Sequence, residues 1–516
     1  MKKFPFYILF PALIFIAAAC DNAKSEPGLH IKEMNIAPNS QSANLLCEVN
    51  TEKAKNYKIR YSWYESPDGS TDTGTAIAGA SSPVFTTPVF TEKEIHYYYC
   101  KVSDGNNKEN PVLISNAASV AHTALPTLYI ETPDGADIAS KDEWLANTIV
   151  SLAGASNKTW NFEGVSASIR GRGNTAWELP KKTYALKFDI KQEITGFPEH
   201  RRWILLANYT DNSFIRNDSA FYLSEIFEMD WTPRGNFVDL VLNGEYKGLY
   251  WLGEDIRVHK DRVSINDGDD DIEDSKDKDY LIEMDKSYDE PVKFRSPIRD
   301  LPYMIKNEDY MTEGNGTLSS GGEARLGRLQ EKIGKLESLL YPDCRKGDDT
   351  NDCPAPYESY LGTVDADSWI KFWFVNEIME NTELNSPESA YFTFSSARDI
   401  FKAGPVWDFD RALLAKPSGC ILKEAVYYNA LFKSPLFRKR VRELWNEYYG
   451  EINIKSHIEL MRGRLAIAAE YDKMLWGVHN DPSGVQRENF DAYVDFLKEG
   501  ILDKISIVDK EISEME

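Results

Sequence analysis

Hydrophobic periodicity changes character once along this 516-residue chain, and that change limits the fold more than any single motif. Short apolar runs (Pro126 to Ile130, Val165 to Arg170, Lys182 to Phe188, Phe237 to Leu242, Gly248 to Leu252) stand between Gly- and Asn-rich turns, as strands do. After about Gly322 the period becomes helical, with Leu326, Leu329, Ile333, Leu336, Leu339 and Leu340 on one stripe. Ser368 to Met379, Leu436 to Tyr449, Ile454 to Tyr471 and Phe490 to Ile507 continue it. A strand-rich part over about 125–310 followed by a helix-rich part over about 322–516 predicts an α+β domain across 125–516.

A chain this long exceeds one ordinary core, and residues 30–122 read as a separate all-β domain. Cys47, Trp63, Tyr98 and Cys100 follow one another in the order of an immunoglobulin-like sandwich, where the Trp packs on an inter-sheet disulfide. A Cys47–Cys100 bond is expected on that resemblance, the alternative being two free core cysteines. Cys344 and Cys353 flank the polar stretch Arg345 to Asp352 and are expected to staple it, which leaves Cys420 as a lone thiol.

Residues 1–20 read as a leader: Lys2 and Lys3, an apolar stretch from Phe4 to Ile16, then Ala17-Ala18-Ala19-Cys20. The pattern resembles a bacterial lipoprotein signal in which Cys20 carries the lipid, with 21–29 as a tether; an ordinary signal peptide is the alternative. No later run approaches the roughly 18 apolar residues that a membrane helix needs. The expectation is an exported protein of the cell envelope that meets the membrane only through its lipid. A formal charge of -23 speaks against a nucleic-acid partner, since polyanion binding draws on an excess of Lys and Arg.

Three clusters carry candidate chemistry. In Gly404-Pro405-Val406-Trp407-Asp408-Phe409-Asp410, an extended backbone would turn both carboxylates to one face and Trp407 and Phe409 to the other. Paired carboxylates need a cation or donors between them; a divalent metal is one solution, and a helix cap or salt bridge is another. Arg170, Arg172, Lys182 and Lys187 gather basic charge in an acidic chain, beside glycines that let backbone N–H groups approach an anion. A strand pair with solvated cations is the alternative. The run Asn376 to Tyr391 leaves a helix, passes Glu383 and enters a strand from Tyr391 to Phe394 that leads toward Asp408. The acidic stretch Asp267 to Asp274 lacks the Gly and Glu of a calcium loop and reads as a solvated hairpin.

Taken together, Arg170-Gly-Arg-Gly-Asn174, Pro180-Lys-Lys182, Trp203 to Asn208 with Arg216-Asn217, Leu242 to Tyr250 with Glu254, Tyr280 to Asp285 and Gly404 to Asp410 resemble the spore-coat-protein H (CotH) kinase family. The resemblance implies a two-lobed atypical protein-kinase-like fold that transfers phosphate from ATP to protein Ser or Thr with Mg²⁺ or Mn²⁺. It implies metal binding by Asp408, with Asp410 beside it, and phosphate contacts among Arg170, Arg172, Lys182 and Lys187. The family's catalytic Asp falls on Glu383, and its Asn ahead of the Tyr-rich strand falls near Ala390. The competing expectation is a catalytically inactive surface module that kept the fold and binds a protein partner or a glycan.

Overall fold

The computed structural model describes residues 30–36, 43–49, 57–88, 95–109, 112–121, 123, 125–266, 278–313, 316–413, 415–478 and 484–515. The leader with Cys20, the tether and the acidic stretch 267–274 lie outside the described residues. The chain is multidomain and mostly β, with several sheets and eight α-helices among the described residues. It divides into two compact units, one formed by the chain up to 207 with 236–252 and 464–477, the other by 208–235, 253–463 and 478–516.

In the first unit, residues 30–121 form two antiparallel sheets. One holds His30–Ile36, Ala43–Glu48 and Val84–Thr86; the other is built on Ile59–Ser66 and Ile95–Asp104. Leu45, Cys47, Trp63, Tyr98, Cys100, Val102 and Val120 close one apolar core, with Trp63 directly opposite Cys100 in register. Cys47 and Cys100 meet from the two sheets, but as free thiols, so the expected disulfide between them is replaced by a thiol contact. Its hydrogen bond to Cys100, and then burial, push the Cys47 thiol up. The aromatic core around Trp63 fills the space between the sheets without a cross-link.

Next comes a closed seven-stranded barrel of Thr127–Glu131, Leu145–Ala153, Phe162–Gly171, Tyr184–Ile194, Phe197–Leu206, Gly235–Leu242 and Glu245–Glu254. Alternation decides which side chains fill it: Ala167 and Ile169, then Tyr184, Leu186 and Phe188, then Trp203 and Leu205 face inward. Closure leaves no open sheet edge. Leu145–Ala153 and Phe197–Leu206 are strands that the spacing of apolar runs does not announce. The second of them carries charged residues Glu199, Arg201 and Arg202 along its length.

A buried ion pair lies inside this unit. Lys181 is fully buried and donates to the carbonyls of Ala207 (2.9 Å) and Leu249 (2.6 Å) and to Asp472 Oδ2 (2.5 Å). Burial pushes the lysine down and the aspartate up, each opposed by the other's charge. The same carboxylate oxygen accepts the amide of Leu249 at 2.8 Å. Gly248, at φ 92°, is required beside it, because a Cβ there would collide with Asp472.

The second unit is organised by a five-stranded sheet and helices. Tyr280–Met284 is central, flanked by Pro302–Ile305 and Lys293–Arg295 on one side and by Ala390–Ser395 and Ile400–Ala403 on the other. The helices include Arg216–Ile226, Ser320–Leu340, Ala366–Ile378, Pro435–Tyr448 and Phe490–Ser513. On Ser320–Leu340 the stripe appears as buried Leu329, Ile333, Leu336 and Leu340. Cys344 and Cys353 are bonded as expected, with Cα atoms 6.0 Å apart.

Removing one partner of a buried ion pair strands the other charge, at a cost of about 3–5 kcal/mol. Asp472→Ala is therefore expected to lower stability in urea denaturation by about that amount. The double variant Lys181→Met, Asp472→Leu is expected to recover most of the loss, because neither member of the pair is then left without its partner.

Candidate functional site

The candidate site lies in the second unit and starts from the hairpin Ala390–Ser395 and Ile400–Ala403, which pairs Phe392 with Ala403. The hairpin delivers the chain into Gly404 to Asp410, which has no regular secondary structure. Trp407 and Phe409 are buried as the alternation suggests. The extended backbone expected through Asp408 is not present, however: Asp408 sits at φ 64°. This left-handed conformation turns the chain, so Asp408 and Asp410 are not brought to one face by strand geometry. It costs a residue with a Cβ about 1–2 kcal/mol, and Asp and Asn tolerate it best.

Asp410 is held by Thr210, whose hydroxyl donates to its Oδ2 at 2.6 Å. Burial raises the Asp410 carboxyl, the Thr210 bond lowers it, the charge of Asp211 raises it, and Arg411 and Arg216 lower it.

Glu383 lies in the single turn Thr382–Asn385, which follows helix Ala366–Ile378. The helix end is buried, and Asn381 is held there by its side-chain bond to Asn376 Oδ1 at 3.1 Å. The Glu383 side chain is 16 % exposed and lies 3.6 Å from Arg411 Nε. Its carboxyl is pushed up to about 7, first by burial and then by the negative charges of Glu388 and Asp410, against the opposing charges of Arg411 and Lys286. Lys286 is itself paired with Glu388. Asp285, at the end of strand Tyr280–Met284, accepts the amides of Ser287 (2.7 Å) and Ser389 (2.9 Å) and so ties this strand to the start of the hairpin. Glu383, Glu388, Asp410, Arg411 and Lys286 thus form one electrostatic cluster. Among the described residues no three His, Cys, Asp or Glu side chains gather closely enough to hold a metal by themselves.

The basic residues belong to the first unit. Arg170 and Lys187 point outward from the barrel, with Ser168 opposite Lys187 and Ala185 opposite Arg170. Arg170 and Arg202 both stack on Trp144, at 4.7 and 4.5 Å from its ring centre. Lys182 donates to the carbonyl of Trp177 at 2.6 Å and lies over its ring. Arg172 follows the strand end and bonds through its amide to Thr183 O. The two strands therefore separate the four cations: two on the outer wall and two beyond the strand ends.

A family model described as CotH kinase protein matches residues 169–506, well over half of the chain. The chain belongs to the CotH kinase family. No curated protein matches it. The family match spans both Glu383 and the Asp408 segment, and it begins inside the barrel, whose strands Thr127–Glu131 and Leu145–Ala153 precede it.

Several residues of this CotH protein's site are not singled out by sequence reasoning. Thr210 and Asp211 lie between Asn208 and Arg216, two landmarks of the resemblance, but nothing in their spacing announces a bond to residue 410. Glu388, Lys286 and Arg411 are charged neighbours of motif residues, and only the fold gathers them.

A carboxyl whose folded value is raised makes the folded state hold its proton longer than the unfolded chain does. Stability contributed this way falls as pH rises from the ordinary glutamate range to about 7, and levels off above it. Glu383→Gln removes the penalty. The variant is expected to be more stable than wild type by about 3 kcal/mol at pH 8 and equal to it at pH 4, as read by denaturant melts at the two pH values.

Proposed function

We propose that this CotH-family protein is a phosphoryl-transfer enzyme that moves phosphate from ATP to a protein Ser or Thr with Mg²⁺ or Mn²⁺. The observation that carries the reading is the convergence of Glu383 with the Asp408 to Arg411 segment. A half-buried carboxyl with a value near neutrality is suited to accept the proton of an attacking hydroxyl. Asp408 would bind the metal, with Asp410 contributing through the oxygen that does not face Thr210. Mg²⁺ is commonly held by one or two carboxylates together with substrate phosphates, so this donor set suits a metal that arrives with its nucleotide. When bound, the metal would neutralise charge on the transferred phosphoryl group. On the resemblance alone, phosphate contact would fall to one of Arg170, Arg172 and Lys187, which the strand pair keeps apart; Lys182 is committed to the Trp177 carbonyl.

Glu383 fills the role of the family's Asp with one more methylene, and Arg411 sits against it. That ion pair supports the second reading, an inactive kinase-like module that binds a protein partner or a glycan. In either case we propose an immunoglobulin-like N-terminal domain, on the packing of Trp63 against the two buried thiols, and an envelope lipoprotein anchored through Cys20. The described residues contain no helix long and apolar enough to cross a membrane.

The test is thermal stabilisation by ATP with Mg²⁺ or Mn²⁺, followed by transfer of labelled phosphate to a protein acceptor. Wild type is expected to respond in both assays and Asp408→Ala in neither. Transfer is expected to rise with pH through about 7 as Glu383 ionises. Absence of both responses in wild type would put the binding module in front.

A further inference from the structure

Asp408 is flanked on both sides by bonds to one short stretch of chain, residues 210–221. Asn217 Oδ1 accepts the amide of Phe409 at 2.7 Å. The Thr210 hydroxyl holds Asp410, and Arg216 Nε donates to the carbonyl of Ala412 at 2.8 Å. On the other side Trp407 stacks on Phe221, with ring centres 5.8 Å apart. Arg216 and Asn217 are the first two residues of helix Arg216–Ile226, so their side chains are fixed by the same helical turn.

The stretch is braced internally before it touches residue 409. Asp211 Oδ1 pairs with Arg216 Nη1 and accepts the amide and hydroxyl of Ser213, at 2.9 and 2.5 Å. Its Oδ2 accepts the amide of Arg216 at 2.9 Å. Arg216, Asp211 and Ser213 are buried, and Asn208 closes the loop through its amide bond to Phe214 O. A left-handed backbone at a residue other than glycine persists where its surroundings over-determine it. Here residues 407, 409, 410 and 412 are each held, and Asp408 is the turn between them.

We propose that Thr210, Arg216 and Asn217 are positioning residues that clamp the 407–412 segment and thereby fix the direction in which Asp408 presents its carboxylate to a metal–nucleotide. This rests on the proposed phosphoryl-transfer reading. Arg216 acts as the base of the clamp, Asn217 sets the backbone directly after Asp408, and Thr210 sets which Asp410 oxygen faces the site.

The test uses the full chain and reads the dissociation constant of Mn²⁺ in the presence of ADP by calorimetry. Far-ultraviolet circular dichroism and hydrogen exchange at the Phe409 amide accompany it. Thr210 is half-buried, so Thr210→Val changes little volume and is the arm least exposed to misfolding. Thr210→Val and Asn217→Leu each remove one hydrogen-bonding group and are expected to weaken Mn²⁺ binding by about tenfold, the effect of one lost bond. Thr210→Ser keeps the hydroxyl and is expected to bind as wild type does. Asn217→Leu alone is expected to lose protection at Phe409. Folded Thr210→Val and Asn217→Leu proteins that bind Mn²⁺ as wild type does would overturn the clamp and leave the proposed function standing. A wild-type protein that binds no Mn²⁺ with ADP would overturn both.

Discussion

Arg216 is almost wholly removed from water, and a guanidinium in that position survives only where every face of it is met. Asp211, five residues earlier, meets it with a carboxylate, and Ala412 meets it with a carbonyl. Because a buried charge with a missing partner costs several kcal/mol, the geometry of this contact is enforced far more strictly than that of an apolar one. The course of residues 407–412 follows from it. The same logic recurs nearby. Lys504 on helix Phe490–Ser513 is buried between Glu377 and Glu380, at 2.7 and 2.8 Å, and Glu377 also accepts the amides of Ile421 and Leu422. Glu254 is buried in a two-bond fork with Arg234. In an acidic chain, the few buried cations decide where loops are pinned.

The candidate site inverts that arrangement. Glu383 has two acids, Glu388 and Asp410, and two bases, Arg411 and Lys286, around it, and burial combined with the acids outweighs the bases. Structural carboxylates such as Glu377 are surrounded by donors, whereas Glu383 is left with its proton affinity raised. Burial raises other acids of the chain as well, Asp239, Asp410 and Asp472 among them, but Glu383 reaches about 7 beside the segment that carries Asp408, and raised values of this kind are common at sites of chemistry.

Much of this fold is legible in residue order. The change from strand to helix spacing, the inward set Ala167, Ile169, Leu186 and Phe188, the stripe on Ser320–Leu340 and the Cys344–Cys353 staple all follow from periodicity and local spacing, which act over a few residues. Helix Arg216–Ile226 is not legible, because its buried face includes Arg216, Asn217, Ser219 and Ser224 rather than an apolar stripe. The turn at Asp408 is equally hidden. Trp-Asp-Phe-Asp alternates as a strand does, and only bonds from residues about two hundred positions away hold the backbone left-handed. Lys181 shows the same limit: beside Lys182 in a basic run it reads as one more surface cation, yet it is the one that goes inside.

Asp472 follows Lys181 by 291 positions, and the consequence concerns the order in which the chain is made. All seven barrel strands leave the ribosome long before the carboxylate that neutralises the lysine beneath them. Until residue 472 arrives, drying that ammonium group is unfavourable, which weakens closure at this end of the barrel. The barrel is therefore contiguous as a sheet, while one of its stabilising contacts is not. A fragment cut after its last strand contains every strand and lacks the carboxylate that meets Lys181, so its closed form is weaker by the cost of that unpaired charge.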